Sequence, residues 1–412
     1  MNKILLICYY FPPLGGAGVA RPLSLFKHLP EHSIDCDVLT VKPVVYRVLE
    51  PELLNGLDQS KIYRSGSHDP QRLMYMMGVR TVKDRAVDES RKFAKRFFPD
   101  PKVRWVSRAV RLGRTLIENK RYKALISTSP PISSHLVAKK LSNEFKIPWI
   151  ADFRDIWTAY TPEQWYDSDK KINKANNLLS EIVESADAVT GINESILNYL
   201  GKGHLIYNSF DSNLSKLWAE PLEPNIFTIG LLGTIDNLTP VEPLFKFING
   251  FKTIYPKKFD KIQICQVGRI NHPEFDNLVE KYQLNETIKI HGHKDRETTI
   301  KLLNESALFY LGINHELGKH LTTGRIFDML ASGRDIIASA PDKSEIAKMI
   351  NTNKCGFLFS DNDLSPALEF INQKITEYKP DNIKPLPDYA MEHSSDKMIN
   401  QFVEVINKLI HR

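Results

Sequence analysis

Short apolar runs alternate with amphipathic stretches along almost the whole chain. Strand-like runs fall at residues 4–10, 36–40, 124–128, 149–152 and 188–190, and a second series at 227–232, 262–267, 287–291, 307–311 and 335–339. Between them, apolar positions recur at helical spacing, as in 19–29, 133–144, 241–255 and 343–350. Strands alternating with helices predict parallel sheets covered on both faces. Two such series predict two doubly wound α/β domains. The polar stretch 211–224, with Pro221 and Pro224, reads as the join, giving domains at 1–210 and 225–380. In the segment 381–412, Pro385 and Pro387 suggest an extended crossing. A capped helix follows, with Met398, Ile399, Phe402, Val405, Ile406, Leu409 and Ile410 on one stripe.

Composition narrows the class. Of 412 residues, 42% are hydrophobic and 25% charged, which excludes wholesale disorder and collagen-like sequence. The cysteines (Cys8, Cys36, Cys265, Cys355) are far apart with no CxxC pair, so neither a zinc site nor a disulfide framework is expected. A reducing cytosol is the simplest compartment. No apolar run is long enough for a transmembrane helix. The apolar start, 1–11, stops at Pro12-Pro13 and reads as a first strand rather than a leader.

Charge is uneven. The net charge is +6, yet between Lys83 and Lys123 the chain carries 14 Lys or Arg against 5 Asp or Glu. Phe93, Phe97, Phe98 and Trp105 lie in the same region. Basic residues mixed with aromatics suit an anionic membrane surface, and also a nucleic acid. An ordinary solvated helix face is the plainer alternative.

Three segments carry candidate chemistry. The first strand leads into Phe11-Pro12-Pro13-Leu14-Gly15-Gly16-Ala17-Gly18 before a helix, a loop able to approach a phosphate or simply a tight turn. It is not the dinucleotide fingerprint, since Arg21 stands where the third glycine belongs. Next, Ser129-Pro130-Pro131 precedes His135, and Asp152-Phe153-Arg154-Asp155 follows a buried strand. Charges there need a ligand or one another, and an Arg154–Asp pair is the structural alternative. Finally, Thr322-Thr323-Gly324-Arg325-Ile326-Phe327-Asp328 opens a helix that Gly333 closes. An Arg in the first turn opposes the helix dipole unless an anion binds there, and a diphosphate fits. Asp328 could accept the two hydroxyls of a ribose, or pair with Arg325 on the helix surface.

Taken in order, these segments resemble a bacterial family 4 glycosyltransferase of the capsule, lipopolysaccharide or exopolysaccharide group. Ala186-Asp187-Ala188-Val189, Tyr207-Asn208-Ser209-Phe210-Asp211 and Phe98-Pro99-Asp100 add to the resemblance. It implies the GT-B fold, two Rossmann-like domains facing across a cleft with the C-terminal helix returning to the first. It implies a retaining, metal-independent transfer from a nucleotide-diphosphate sugar to a glycan or polyprenyl- or lipid-linked acceptor. No cofactor is expected. On this resemblance Asp155, His135 and Arg325 are catalytic. Gly15, Gly16, Gly233, Thr234, Arg269, Thr323, Gly324, Arg325 and Asp328 hold the donor. Asp152, Arg154, Asp155 and His135 face the acceptor. The expected setting is cytoplasmic, at the inner face of the plasma membrane through the basic region, without nucleic acid. His320 replaces the first glutamate of the family's paired-glutamate pattern, and no arginine follows the first strand of the second domain. A sugar-nucleotide 2-epimerase and a non-catalytic binding protein of this fold are the alternatives.

Overall fold

Seven parallel strands form the first sheet: β1 (Asn2–Ile7), β2 (Ile34–Val41), β3 (Ile62–Ser65), β4 (Ala124–Ser129), β5 (Trp149–Phe153), β6 (Ala188–Gly191) and β7 (His204–Leu205). Their order is β3-β2-β1-β4-β5-β6-β7. Every residue of β4 and β5 is buried, as strands covered on both faces require. Helices α1 (Ala17–His28), α2 (Pro70–Met76), α3 (Val103–Asn119), α4 (Ser133–Phe145), α5 (Asp169–Ser185) and α6 (Glu194–Leu200) connect the strands. Helix α3 buries Trp105, Val106, Ala109, Val110, Gly113 and Leu116 and turns Arg104, Arg108, Arg111 and Arg114 to solvent. Gly113 lets α3 press on α4, because a Cβ there would overlap Leu141.

The computed structural model describes residues 2–46, 48–81, 95, 97–158, 165–219, 226–316, 321–359 and 363–411. Its chain divides into two units, one made of Met1–Tyr207 with Met398–Arg412, the other of Asn208–Lys397. The expected linker residues Pro221 and Pro224 lie outside the described residues.

In the second unit six parallel strands, β8 (Phe227–Leu232), β9 (Ile262–Val267), β10 (Ile288–Ile290), β11 (Ser306–Gly312), β12 (Asp335–Ser339) and β13 (Gly356–Phe359), are ordered β10-β9-β8-β11-β12-β13. Its main helices are α7 (Glu242–Ile254), α8 (Phe275–Lys281), α9 (Arg296–Leu303), α10 (Arg325–Ala331), α11 (Glu345–Asn353) and α12 (Ser365–Glu377). Gly333, at φ 70°, ends α10 as the C′ position requires. Thr322 and Thr323, whose hydroxyls the sequence offers as caps, do not cap its start. Gly324 occupies the N-cap, and the carbonyl of Thr323 accepts the Ile326 N–H instead. Arg334 is 1% exposed and donates to the carbonyls of Ser306, Ser332, Ala219 and Asn304.

The last helix, α13 (Ser395–Ile410), begins in the second unit and ends in the first. Ser394 Oγ caps it by accepting the Lys397 N–H. Met398, Ile399, Phe402, Val405, Ile406 and Leu409 enter the core of the first unit.

Candidate functional site

Ligands of doubly wound sheets gather outside the carboxyl ends of the strands, where strand order reverses. In the first unit that point lies between β1 and β4, and in the second between β8 and β11.

Three polar residues lie side by side across the first sheet, because the register pairs Thr128 of β4 with Asp152 of β5 and Asp152 with Thr190 of β6. Both threonine hydroxyls donate to Asp152, at 2.7 Å each. Arg21 of α1 completes the set, donating from Nε at 3.0 Å and from Nη2 at 2.8 Å. Arg21 also donates to the Tyr207 carbonyl and lies 4.8 Å above the Phe402 ring. Burial alone would raise the Asp152 pKa. The Arg21 charge and the three donors outweigh it and hold the carboxyl below its ordinary range. Asp152, expected on the acceptor side, is therefore turned inward. Its partner is Arg21, not Arg154.

Arg154 does other work at the switch point. Its guanidinium donates to the carbonyls of Ser129, the last residue of β4, and of Pro130 after it, and to that of Gly18 at the start of α1. It thus ties together the two loops that bound the crevice. Asp155 is exposed, and its Oδ1 accepts the Ile156 N–H at 2.8 Å. His135 is enclosed, 0% exposed, with Nδ1 2.7 Å from Ser127 Oγ and its ring 4.6 Å from that of Phe153. Burial pushes its pKa down to about 3, so the imidazole is neutral and has no open face for a reacting group.

The glycine loop is partly occupied by the chain itself. The Gly15 N–H donates to the Val48 carbonyl, and a Cβ on Gly15 would run into the Glu50 carboxyl. Gly16, at φ 81°, is the N-cap of α1, whose first turn holds no acidic residue. The face expected to meet phosphates therefore has a carboxylate beside Gly15.

The second unit places its candidates at the carboxyl end of β8. Gly233, at φ 91°, and Gly268, at φ 150°, follow β8 and β9 and touch backbone to backbone, so a Cβ on Gly268 would overlap the Gly233 carbonyl. Over this turn lies Arg325. Its Nη2 donates to the Thr234 carbonyl at 2.9 Å and its Nε to Thr323 Oγ1 at 3.2 Å. Both acceptors are neutral. Burial pushes Arg325 down to about 10, with Asp236 opposing the shift, so it remains a cation at neutral pH. Asp328 does not pair with Arg325, as the helix spacing allowed. Its Oδ1 accepts from Arg296 of α9 at 2.8 Å. Arg269 is half-buried and its carbonyl accepts the Ile235 N–H, while Gly324 is exposed with open space around it. Sequence reasoning brought Gly233, Thr234, Thr323 and Arg325 to one place, and missed Arg21 and Arg296. A carboxylate closing an apolar strand was the signal that pointed to a buried cation such as Arg21.

His320 lies outside the described residues, as do residues 83–94 and Arg96 of the basic region. Trp105, expected among its surface aromatics, is 0% exposed and donates from Nε1 to Ser65 Oγ, because α3 packs that side on the sheet. Among the described residues no three His, Cys, Asp or Glu side chains cluster as a metal site would, and no helix is long and apolar enough to cross a membrane.

No family model and no curated protein matches the chain. Solved structures do match at full length. A sucrose-phosphate synthase from Thermosynechococcus elongatus superposes with a TM-score of 0.69 at 15% identity, covering 100% of both chains. HepE of Anabaena, solved with UDP, gives 0.63 at 15% identity, covering 99% of this chain and 100% of its own. The lipopolysaccharide outer core galactosyltransferase WaaB, in its apo form, gives 0.60 at 13% identity over 98% and 99%. What these neighbours share with this chain is architecture, and the two parallel α/β sheets with a final helix entering the first unit are those of the GT-B fold.

Proposed function

We propose that the protein is a retaining glycosyltransferase that moves a sugar from a nucleotide-diphosphate sugar to a glycan or lipid-linked acceptor in cell-surface polysaccharide synthesis. The observation that carries this reading is Arg325, a cation laid across the Gly233–Thr234 turn with hydrogen bonds only to neutral oxygens described for it. A diphosphate seated at that turn would meet a guanidinium already oriented by Thr323 and Thr234. In the reaction the bond between the anomeric carbon and the diphosphate breaks, its electron pair going to the phosphate oxygen. The acceptor oxygen bonds to the same carbon, and its proton leaves with the diphosphate. Arg325 stabilises the charge that grows on the leaving group. Asp328, fixed by Arg296, presents a carboxylate to the ribose hydroxyls, and the exposed Asp155 presents one to the acceptor. Arg154 acts as a positioning residue for the loops around it. HepE solved with UDP-glucose and the galactosyltransferase WaaB, both of this fold, support the reading by analogy.

Thermal unfolding against UDP, GDP, ADP, dTDP, CMP and NAD tests it. One nucleoside diphosphate should stabilise the protein by about 2.7 kcal/mol at 100 times its Kd. Arg325→Ala should lose about 1.5–3 kcal/mol of that affinity, roughly 10- to 150-fold. Unchanged affinity in the variant overturns the phosphate role. The anomeric configuration of the product, read by NMR, separates retention from inversion.

A further inference from the structure

Four exposed apolar side chains of the first unit gather at one place, apart from the exposed rings of Trp165 and Tyr199. Leu73, Met76, Met77 and Val79 are 56%, 61%, 68% and 38% exposed, and they lie within seven consecutive positions. Helix α2, which carries the first two, buries none of its residues. Its neighbours nevertheless hold it firmly. The Val45 N–H donates to the Gln71 carbonyl at 3.1 Å and the Tyr46 N–H to the Arg80 carbonyl at 3.4 Å. Arg72 donates to the Pro43 carbonyl, and Lys102 to the Gln71 side chain. An apolar tip on a fixed base cannot fold back to cover itself.

The rim of this tip is cationic. Arg80 lies 4.3 Å and Arg72 5.7 Å from the centre of the Tyr75 ring. From α3, Arg108 Nε donates to His68 Nε2 at 3.0 Å, which sets the exposed Arg104–Arg108 edge beside the start of α2. Along residues 66–81 and 103–116 the one carboxylate is Asp69, 2% exposed and bonded to the Tyr9 hydroxyl at 2.7 Å. The exposed charges on these two stretches are therefore arginines.

We propose that this face docks the protein on an anionic lipid bilayer, with Leu73, Met76, Met77 and Val79 entering the headgroup boundary and Arg72, Arg80, Arg104 and Arg108 meeting lipid phosphates. Flexible apolar side chains ringed by guanidinium groups match a fluid surface of uniform negative charge. The proposal goes beyond the transferase reading and does not depend on it.

Sedimentation of the full chain with vesicles tests it, using phosphatidylcholine alone and phosphatidylcholine mixed with phosphatidylglycerol. The protein should bind the mixed vesicles, less so as salt rises. The triple variant Leu73→Ser, Met76→Ser, Met77→Ser should lose at least about tenfold in partitioning. Arg80→Glu with Arg104→Glu should abolish the preference for anionic lipid. These side chains are exposed, so unfolding temperature and any nucleotide stabilisation should match the parent protein. Absent sedimentation, or equal sedimentation of parent and triple variant, overturns the proposal. So does a dimer in gel filtration that the triple variant dissociates while vesicles bind neither protein.

Discussion

Replacing Arg21 with methionine strands the Asp152 carboxylate inside the first unit. The two side chains are 2% and 0% exposed, so water cannot take over the lost contacts. Asp152 keeps the hydroxyls of Thr128 and Thr190 and loses both guanidinium hydrogen bonds. Breaking one side of a buried pair costs about 3–5 kcal/mol, most of it the unpaired charge left behind. Adding Asp152→Asn removes that charge, so the double variant should recover more than half of the loss. Urea unfolding followed by tryptophan fluorescence reads the right unit, because Trp105, Trp149, Trp157 and Trp165 belong to the first and only Trp218 to the second. The pH dependence supplies a second check. A carboxyl whose folded pKa is lowered contributes stability above its ordinary value near 3.8 and loses it as pH falls through the lower folded value. The parent protein should thus lose this contribution in acid. Arg21→Met should be most harmful at neutral pH and approach the parent as its stranded carboxylate takes up a proton. A penalty below about 1 kcal/mol, or one that does not change with pH, would refute the pairing as an energetic keystone.

His135 stays neutral down to about pH 3, whereas in the unfolded chain it protonates near 6.5, so its folded pKa is lowered and the parent protein should lose about 1.4 kcal/mol per pH unit on acidification below about 6.5. His135→Gln should flatten that slope in urea titrations at several pH values, and an unchanged slope would assign the acid loss elsewhere. Gly268→Ala should destabilise the second unit by about 2–4 kcal/mol, because the new methyl meets the Gly233 carbonyl at a φ that favours glycine. Gly324→Ala, at φ −60° in open space, should stay within about 1 kcal/mol of the parent. Equal effects of the two alanines on the unfolding temperature would contradict this account.

The central strands were legible because burial on both faces writes a mostly apolar run, and the ends of β8 and β9 coincide with the pattern although Thr228, Gln263 and Gln266 interrupt it. The strands that escaped, β3, β7 and β13, are two to four residues long and lie at or near sheet edges, where half-exposed positions break the run. Within the site, local oddity was readable and distant partnership was not. Arg325 stood out by opposing its own helix, yet its acceptor Thr234 lies 91 positions away. For Asp328 the visible partner was Arg325, one turn off. The actual one, Arg296, is 32 positions upstream and reaches it from another helix. Asp152 and His135 looked available because they sit near strand ends. Register, which sequence spacing does not state, aligned Asp152 with two threonines and closed it off.

The discontinuity of the first unit bears on how the chain is made. The residues that complete its core, from Met398 to Leu409, are synthesised after the whole second unit. In chain topology the second unit is an insertion within the first. A nascent chain that has passed Lys397 carries all it needs for the later sheet, while the earlier sheet still shows the apolar surface that Phe402 and Ile406 cover and leaves Arg21 without its ring. Translation order and completion order therefore run in opposite directions, and the interval between them is when the first unit is most exposed to aggregation.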